Sequence, residues 1–301
     1  MAVWPSAGTG EGATPSTENP PAGRATGTGW NAVHPMTQRA PTRRSFAIHA
    51  ALAVTLAVVL GVAVGFALSR HGRTAHNAVA AVQPIDTKVP ADVADIPLTN
   101  QFGDPTDLAA FHGRIVVLAD FMTSCQEECP ITTGALVSVQ QSLDAAHLTG
   151  RVAVVEVTVD PWRDSPGRLL AFQDKFDAHL TMLTGTPADI SRLWAFFGVW
   201  YQRVAESKPP DIDWQTRRPY TFDITHTDDA FVLGTSGTVR ALSIGNANVN
   251  RDLSKPLSSL LDAEGRQDLT EPGAGSWTPT DMLHEASTLL GQPIPTAGTS
   301  P

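Results

Sequence analysis

Ile115-Val-Val-Leu-Ala-Asp-Phe121-Met-Thr-Ser-Cys125-Gln-Glu-Glu-Cys129-Pro130 runs from an apolar stretch into the only two cysteines of a 301-residue chain. Ile115 to Phe121 reads as a buried strand. The residues from Pro130 to about His147, with Leu136, Val139 and Leu143 at helical spacing, read as a helix. The cysteines therefore sit at a strand-to-helix junction, where unpaired N–H groups and the positive end of the helix dipole favour thiolate over thiol. The thiolate is the form that attacks disulfides and binds soft metals. A purely structural disulfide across so short a loop would constrain the unfolded chain little, so the pair reads as a chemical device.

Around this junction, short apolar runs alternate with amphipathic stretches, the pattern of an α/β sheet. Val152 to Val159 is an almost unbroken β-branched run, as expected of a central strand buried on both faces. Asp160-Pro161-Trp-Arg-Asp164-Ser-Pro166 then forms a turn in which Ser165 can cap a helix and Pro166 can occupy its first position. That helix runs from Gly167 to His179, and a second, capped at Thr186, extends through Phe197 to Gly198. Upstream, Ile96 to Thr99 and Gly103-Asp104-Pro105 suggest a small hairpin. Downstream, Tyr201 to Ala205 reads as a strand and Glu206 to about Phe222 as a polar loop. His226 precedes a hairpin with strands at 230–234 and 238–244 around Thr235-Ser236-Gly237. Residues 246–276 read as an irregular loop, and a last helix spans about Pro279 to Leu290. This order predicts a thioredoxin-like α/β fold with insertions, over residues 91–292.

The first 45 residues are rich in Gly, Pro, Thr and Ala, and cannot bury enough apolar surface to offset the entropy of ordering; a disordered tail is expected. Phe46 to Leu68 is apolar for 23 residues apart from His49 and Thr55, long enough for a single transmembrane helix. Arg43 and Arg44 also fit an export signal, with Ala78-Val79-Ala80 as a cleavage site. Either reading places the remaining chain outside the cytoplasm, where a cycling thiol pair is at home. Residues 69–90 are expected to be a tether and 293–301 a flexible end. Residues 82–301 carry 15 Lys and Arg against 28 Asp and Glu, a formal charge of −13, which disfavours nucleic acid as a partner and favours cations.

Four elements together resemble the SCO1/SenC family of membrane-anchored, thioredoxin-like copper chaperones. They are Cys125-Gln-Glu-Glu-Cys129-Pro130, Val159-Asp160-Pro161-Trp-Arg-Asp164-Ser-Pro166, Leu183-Thr-Gly-Thr186 leading into Phe197-Gly198-Val199, and Thr225-His226-Thr227 ahead of the Phe-Val-Leu strand. The resemblance implies that Cys125, Cys129 and His226 bind one copper ion. It also implies delivery to the copper centre of a respiratory oxidase, with an apo cytochrome oxidase subunit or another copper carrier as partner. The chain has Gln126 where the family usually has proline, and Thr225 where an acidic residue is common.

The residues support that chemistry independently. Cysteines at i and i+4 can present both sulfurs on one side of a helical turn. Two thiolates make a soft site, and an imidazole suits copper in either oxidation state. Since His226 lies 97 residues beyond Cys129, only the fold can bring them together. A Cys125–Cys129 disulfide remains open to the pair. The alternative function is a thiol–disulfide reductase that keeps a partner's metal-site cysteines reduced; a third is an interaction module with neither activity. Three residues between the cysteines, rather than two, favour metal capture, and Met122 stands where a peroxiredoxin needs Thr or Ser. Glu127 and Glu128 are expected in a solvated turn, Asp160 and Asp164 in turn and helix-start roles, and Met122 and Met182 in the core.

Overall fold

The computed structural model describes residues 82–296. The tail, the apolar segment 46–68 and most of the tether lie outside the described residues. In chain order the strands are β1 (Gln83–Lys88), β2 (Leu98–Asn100), β3 (Pro105–Thr106), β4 (Ile115–Phe121), β5 (Val152–Thr158), β6 (Thr181–Thr184), β7 (Tyr201–Val204), β8 (Asp223–His226), β9 (Asp229–Leu233) and β10 (Thr238–Ile244). The helices are α1 (Ala91–Ala94), α2 (Cys129–Ala145), α3 (Pro166–Phe176), α4 (Pro187–Phe197), α5 (Lys255–Ser258), α6 (Ala263–Thr270) and α7 (Pro279–Leu290).

Eight strands form one mixed sheet in the order β1-β10-β9-β4-β5-β6-β2-β3, and β7 and β8 form a separate pair. β4 and β5 lie parallel, in register from Ile115↔Val152 to Phe121↔Thr158, and are buried along their whole length. That is why their sequences are continuous apolar runs rather than alternating ones. β9 lies antiparallel on the other side of β4 and β10 antiparallel on β9. The unit β4-α2-β5 followed by the β9–β10 hairpin and α7 has the thioredoxin-like arrangement.

Side chains of a strand alternate between the two faces, and the sheet has a core on each. Ile115, Val117 and Ala119 share one with Ile131, Ala135 and Val139 of α2 and with Met282 and Leu283 of α7. Val116 and Leu118 share the other with Leu169 and Phe172 of α3 and with Leu193 and Trp194 of α4. The helix starts follow their caps: Ser165 accepts the Arg168 N–H ahead of Pro166, and Thr186 accepts that of Asp189 ahead of Pro187. Gly198, at φ 81°, ends α4 in the left-handed conformation that favours glycine.

The structure departs from expectation in three places. Residues 83–88, expected as tether, pair with β10 and form an edge of the sheet. Residues 246–276, expected as an irregular loop, contain α5 and α6, and Ala247 bridges the buried Trp277. The polar 206–222 stretch is the loop expected, anchored by the buried Trp214 and Tyr220. At the C-terminus, expected to be flexible, Ile294 packs into the core. No helix among the described residues is long and apolar enough to cross a membrane.

Candidate metal centre

β4 delivers the cysteine loop and β8 delivers the histidine. Cys129, the first residue of α2, is 2% exposed, and Cys125 is half-buried in the loop before it. His226 ends β8, held opposite Tyr201 of β7, with its side chain 6% exposed. This folding brings His226 Nε2 to 3.5 Å from Cys129 Sγ across 97 residues of sequence. Cys125 Sγ accepts the backbone N–H of Cys129 at 3.4 Å and that of Glu127 at 3.5 Å. All three sequence-predicted residues are thus brought to one site, and both thiols are free.

The electrostatics of the two sulfurs differ. The Cys125 thiol is pulled well below its ordinary range, chiefly by the hydrogen bond from Cys129; burial opposes this, and His226 adds to it. Cys129 is pushed well above that range by burial and by its neighbour Cys125. The Cys129 thiol therefore stabilises a thiolate at Cys125 as its proton-bearing partner, with a smaller contribution from the Cys129 backbone N–H at the helix start. Burial works against a charged imidazole at His226, but hydrogen bonds to Asp120 and Cys125 outweigh it and hold the ring well above its ordinary range.

Asp120, which sequence reasoning did not select, orients the histidine. Its Oδ2 accepts the His226 Nδ1–H at 2.7 Å, while its Oδ1 accepts the Asp229 N–H at 2.8 Å. The Thr227 carbonyl also lies 2.9 Å from Nδ1. Nδ1 is therefore the donor, and Nε2 is the nitrogen turned towards Cys129; a carboxylate behind a ligating imidazole commonly fixes its tautomer in this way. A fully buried acid within the apolar run of β4 was the available signal.

The site opens into a cavity of about 130 Å³ lined by Cys125, Glu127, Glu128, Asp223, His226 and Asp228, among others. Burial raises several of these carboxyls: Asp228 to about 7, opposed by His226, and Glu128 to about 9, with Asp228 and Asp268 adding to the effect. Glu127 is exposed, as a solvated turn requires, but Glu128 is half-buried and accepts a hydrogen bond from Asn246. Met182 lies in the core, while Met122, also buried, lines the cavity.

Asp160 and Asp164 hold the loop that carries the sulfurs. Asp164 accepts the Thr123 N–H at 3.2 Å, the Thr123 hydroxyl at 2.5 Å and the Thr158 hydroxyl at 2.6 Å. Asp160 accepts the Ser124 hydroxyl at 3.4 Å and pairs with Arg163. On the opposite side, α6 presses on the loop. The Asp262 N–H donates to the Gln126 carbonyl at 2.9 Å, and a Cβ on Gly265 would stand 2.6 Å from that same oxygen.

Soft sulfur donors and an oriented imidazole fit a thiophilic metal ion, and a thioredoxin-like domain with such a site defines a class of dithiol metal-binding or redox proteins. The SCO1/SenC family model matches residues 89–260, and the chain belongs to that family. Over 137 residues it is 28% identical to the mouse mitochondrial SCO2 homologue, covering 46% of this chain and 53% of that protein. Against the bovine SCO2 homologue it is 30% identical over 117 residues, covering 39% and 44%. The matched stretch thus spans about half the length of these curated relatives. Among solved structures, copper-bound ScoI of Bradyrhizobium japonicum is 23% identical, with 56% of this chain and 95% of that chain covered and a TM-score of 0.39. Copper-bound ScoI of Arabidopsis thaliana is 18% identical, with coverages of 61% and 98% and a TM-score of 0.43.

Proposed function

We propose that this protein is a copper carrier whose Cys125, Cys129 and His226 hold one copper ion, delivered to the copper centre of a respiratory oxidase. The observation that carries this reading is the 3.5 Å approach of His226 Nε2 to Cys129 Sγ, beside a second sulfur and with Nδ1 committed to Asp120. Family membership and the copper named in the ScoI structures support it. The apolar segment 46–68 anchors the carrier in the membrane, with the N-terminus cytoplasmic and the sulfur site on the far side, where an apo cytochrome oxidase subunit or another copper carrier meets it. The cavity gives a ligand-exchange partner room to approach the metal.

Copper is cargo here, and the residues have separate tasks in holding and releasing it. Cys125, stabilised as thiolate, is the first donor to engage. Cys129 would become the second donor and His226 Nε2 the third, each releasing its proton to solvent as the metal takes that proton's place. Titration of the reduced full-length chain should show about one equivalent of copper bound. His226→Ala should weaken binding by about 10–100-fold or more, as losing an oriented ligand does. Unchanged affinity in that variant would sink the three-donor site.

The unequal thiols favour a second reading, the reductase that keeps a partner's metal-site cysteines reduced. A stabilised Cys125 thiolate attacks a disulfide, and Cys129 resolves the mixed disulfide by forming Cys125–Cys129. In that case His226→Ala leaves exchange with a disulfide peptide nearly intact, whereas Cys125→Ser abolishes it.

A further inference from the structure

α6 meets the cysteine loop at the peptide unit joining Gln126 to Glu127. The N–H of Asp262, the residue that caps α6, donates to the Gln126 carbonyl at 2.9 Å. The N–H of the same peptide, carried by Glu127, donates to Cys125 Sγ at 3.5 Å. In a planar trans peptide the C=O and N–H point in opposite directions, so the bond that fixes one end aims the other. Gly265 packs on this unit. A Cβ there would stand 2.6 Å from the Gln126 oxygen and 2.8 Å from Glu127 Cα, both of them backbone atoms. Gly265 has no positive φ, so its glycine serves close approach rather than conformation, at a helical position where glycine is otherwise unfavourable.

We propose that Asp262 and Gly265 are positioning residues that aim the Glu127 N–H at the Cys125 sulfur and thereby favour the dithiol form of the pair. This deepens the carrier reading and rests on it for its use, since the carrier takes copper only with both sulfurs reduced. A hydrogen bond to a charged sulfur is stronger than one to a neutral sulfur, and a sulfur in a disulfide carries no charge. Misaiming the N–H therefore costs the reduced form more than the oxidised one.

The test equilibrates the full-length chain with glutathione buffers at pH 7 and reads the ratio of Cys125–Cys129 disulfide to dithiol after acid quenching. In that exchange glutathione disulfide takes up two electrons and the two thiol protons; the protein sulfurs join and two glutathione thiols leave. Gly265→Ala should raise the ratio at a given glutathione poise by about fivefold or more, which lowers the potential of the pair by about 20 mV or more. Asp262→Asn keeps both the cap and the backbone N–H and should stay within about twofold of wild type. An unchanged ratio in Gly265→Ala overturns the proposal, and so does an equal shift in Asp262→Asn, which marks an effect of charge. If Gly265→Ala does not fold, Asp262→Pro against Asp262→Ala carries the comparison: both lose the side-chain cap, and only proline lacks the N–H. Proline alone should shift the ratio, and equal ratios overturn the proposal. Copper titration of wild type decides the carrier reading separately, because the shift in ratio needs no metal. A wild type that binds no copper while Gly265→Ala still shifts the ratio removes that reading and sustains the positioning role.

Discussion

Arg168→Ala should unfold with a free energy about 3–5 kcal/mol below wild type, the usual loss when one partner of a buried charge network is removed. Arg168 is 6% exposed. Its Nε donates to Thr123 Oγ1 at 2.6 Å and lies 3.5 Å from Asp164 Oδ1. Its terminal nitrogens donate to Asp213 at 2.9 Å and to the Tyr220 hydroxyl at 3.2 Å, and its guanidinium stacks over Trp214 at 4.9 Å. Truncation would leave Asp164 without its cation. Burial and the nearby Asp160 already raise that carboxyl to about 6, and Arg168 is among the groups that hold it down. Arg168→Lys should recover only part of the loss, because an ammonium cannot reproduce the planar fork. Urea unfolding at pH 7 measures this, and a loss below about 1 kcal/mol would contradict the network's role.

Glu156→Gln should have the opposite sign. Glu156 is fully buried on β5; its Oε1 accepts the Thr133 hydroxyl at 2.8 Å and its Oε2 has no hydrogen-bond partner. Burial raises its carboxyl to about 8, against the pull of the Thr133 hydrogen bond. The folded protein therefore keeps a proton that the unfolded chain releases above about pH 4.3. Between that point and about pH 8 the unfolded state binds fewer protons, so stability falls as pH rises and levels off once the folded group ionises. Glutamine has no such charge to bury. At pH 7 the variant should be more stable than wild type by about 4 kcal/mol, since wild type loses about 1.4 kcal/mol for each pH unit above the point where the unfolded carboxyl ionises. The advantage should vanish near pH 4. Urea unfolding of both proteins across pH 4.5–8.5 would show it. Parallel pH profiles would mean that Glu156 is not protonated in the folded state.

The fold was legible wherever a residue's own pattern decides its structure. The apolar runs Ile115–Phe121 and Val152–Thr158 had to be buried strands, and Ser165-Pro166 and Thr186-Pro187 had to start helices. It was illegible where structure depends on a distant neighbour. Gln83–Lys88 is exposed along most of its length, and only its pairing with β10 makes it a strand. The cysteines and His226 could be chosen from motif and chemistry. Asp120 acquires meaning only once β9 pairs with β4 and the end of β8 brings His226 up to it, although an acid inside an apolar strand, such as Asp120 or Glu156, is a sign that something must hold it. Asp160 and Asp164 looked like turn residues, and their hold on Thr123 and Ser124 lies 36 to 41 residues away in sequence.

The contacts of α6 tie the cysteine loop to a part of the chain far downstream. With Gly265 against Gln126 and Glu127, and the Asn246 side chain bonded to Glu128, the segment between the two sulfurs is held by residues more than a hundred positions away. The cavity at Cys125 also carries Glu127, Asp211, Asp223 and Asp228 on its lining, so whatever enters it meets carboxyl groups as well as sulfur.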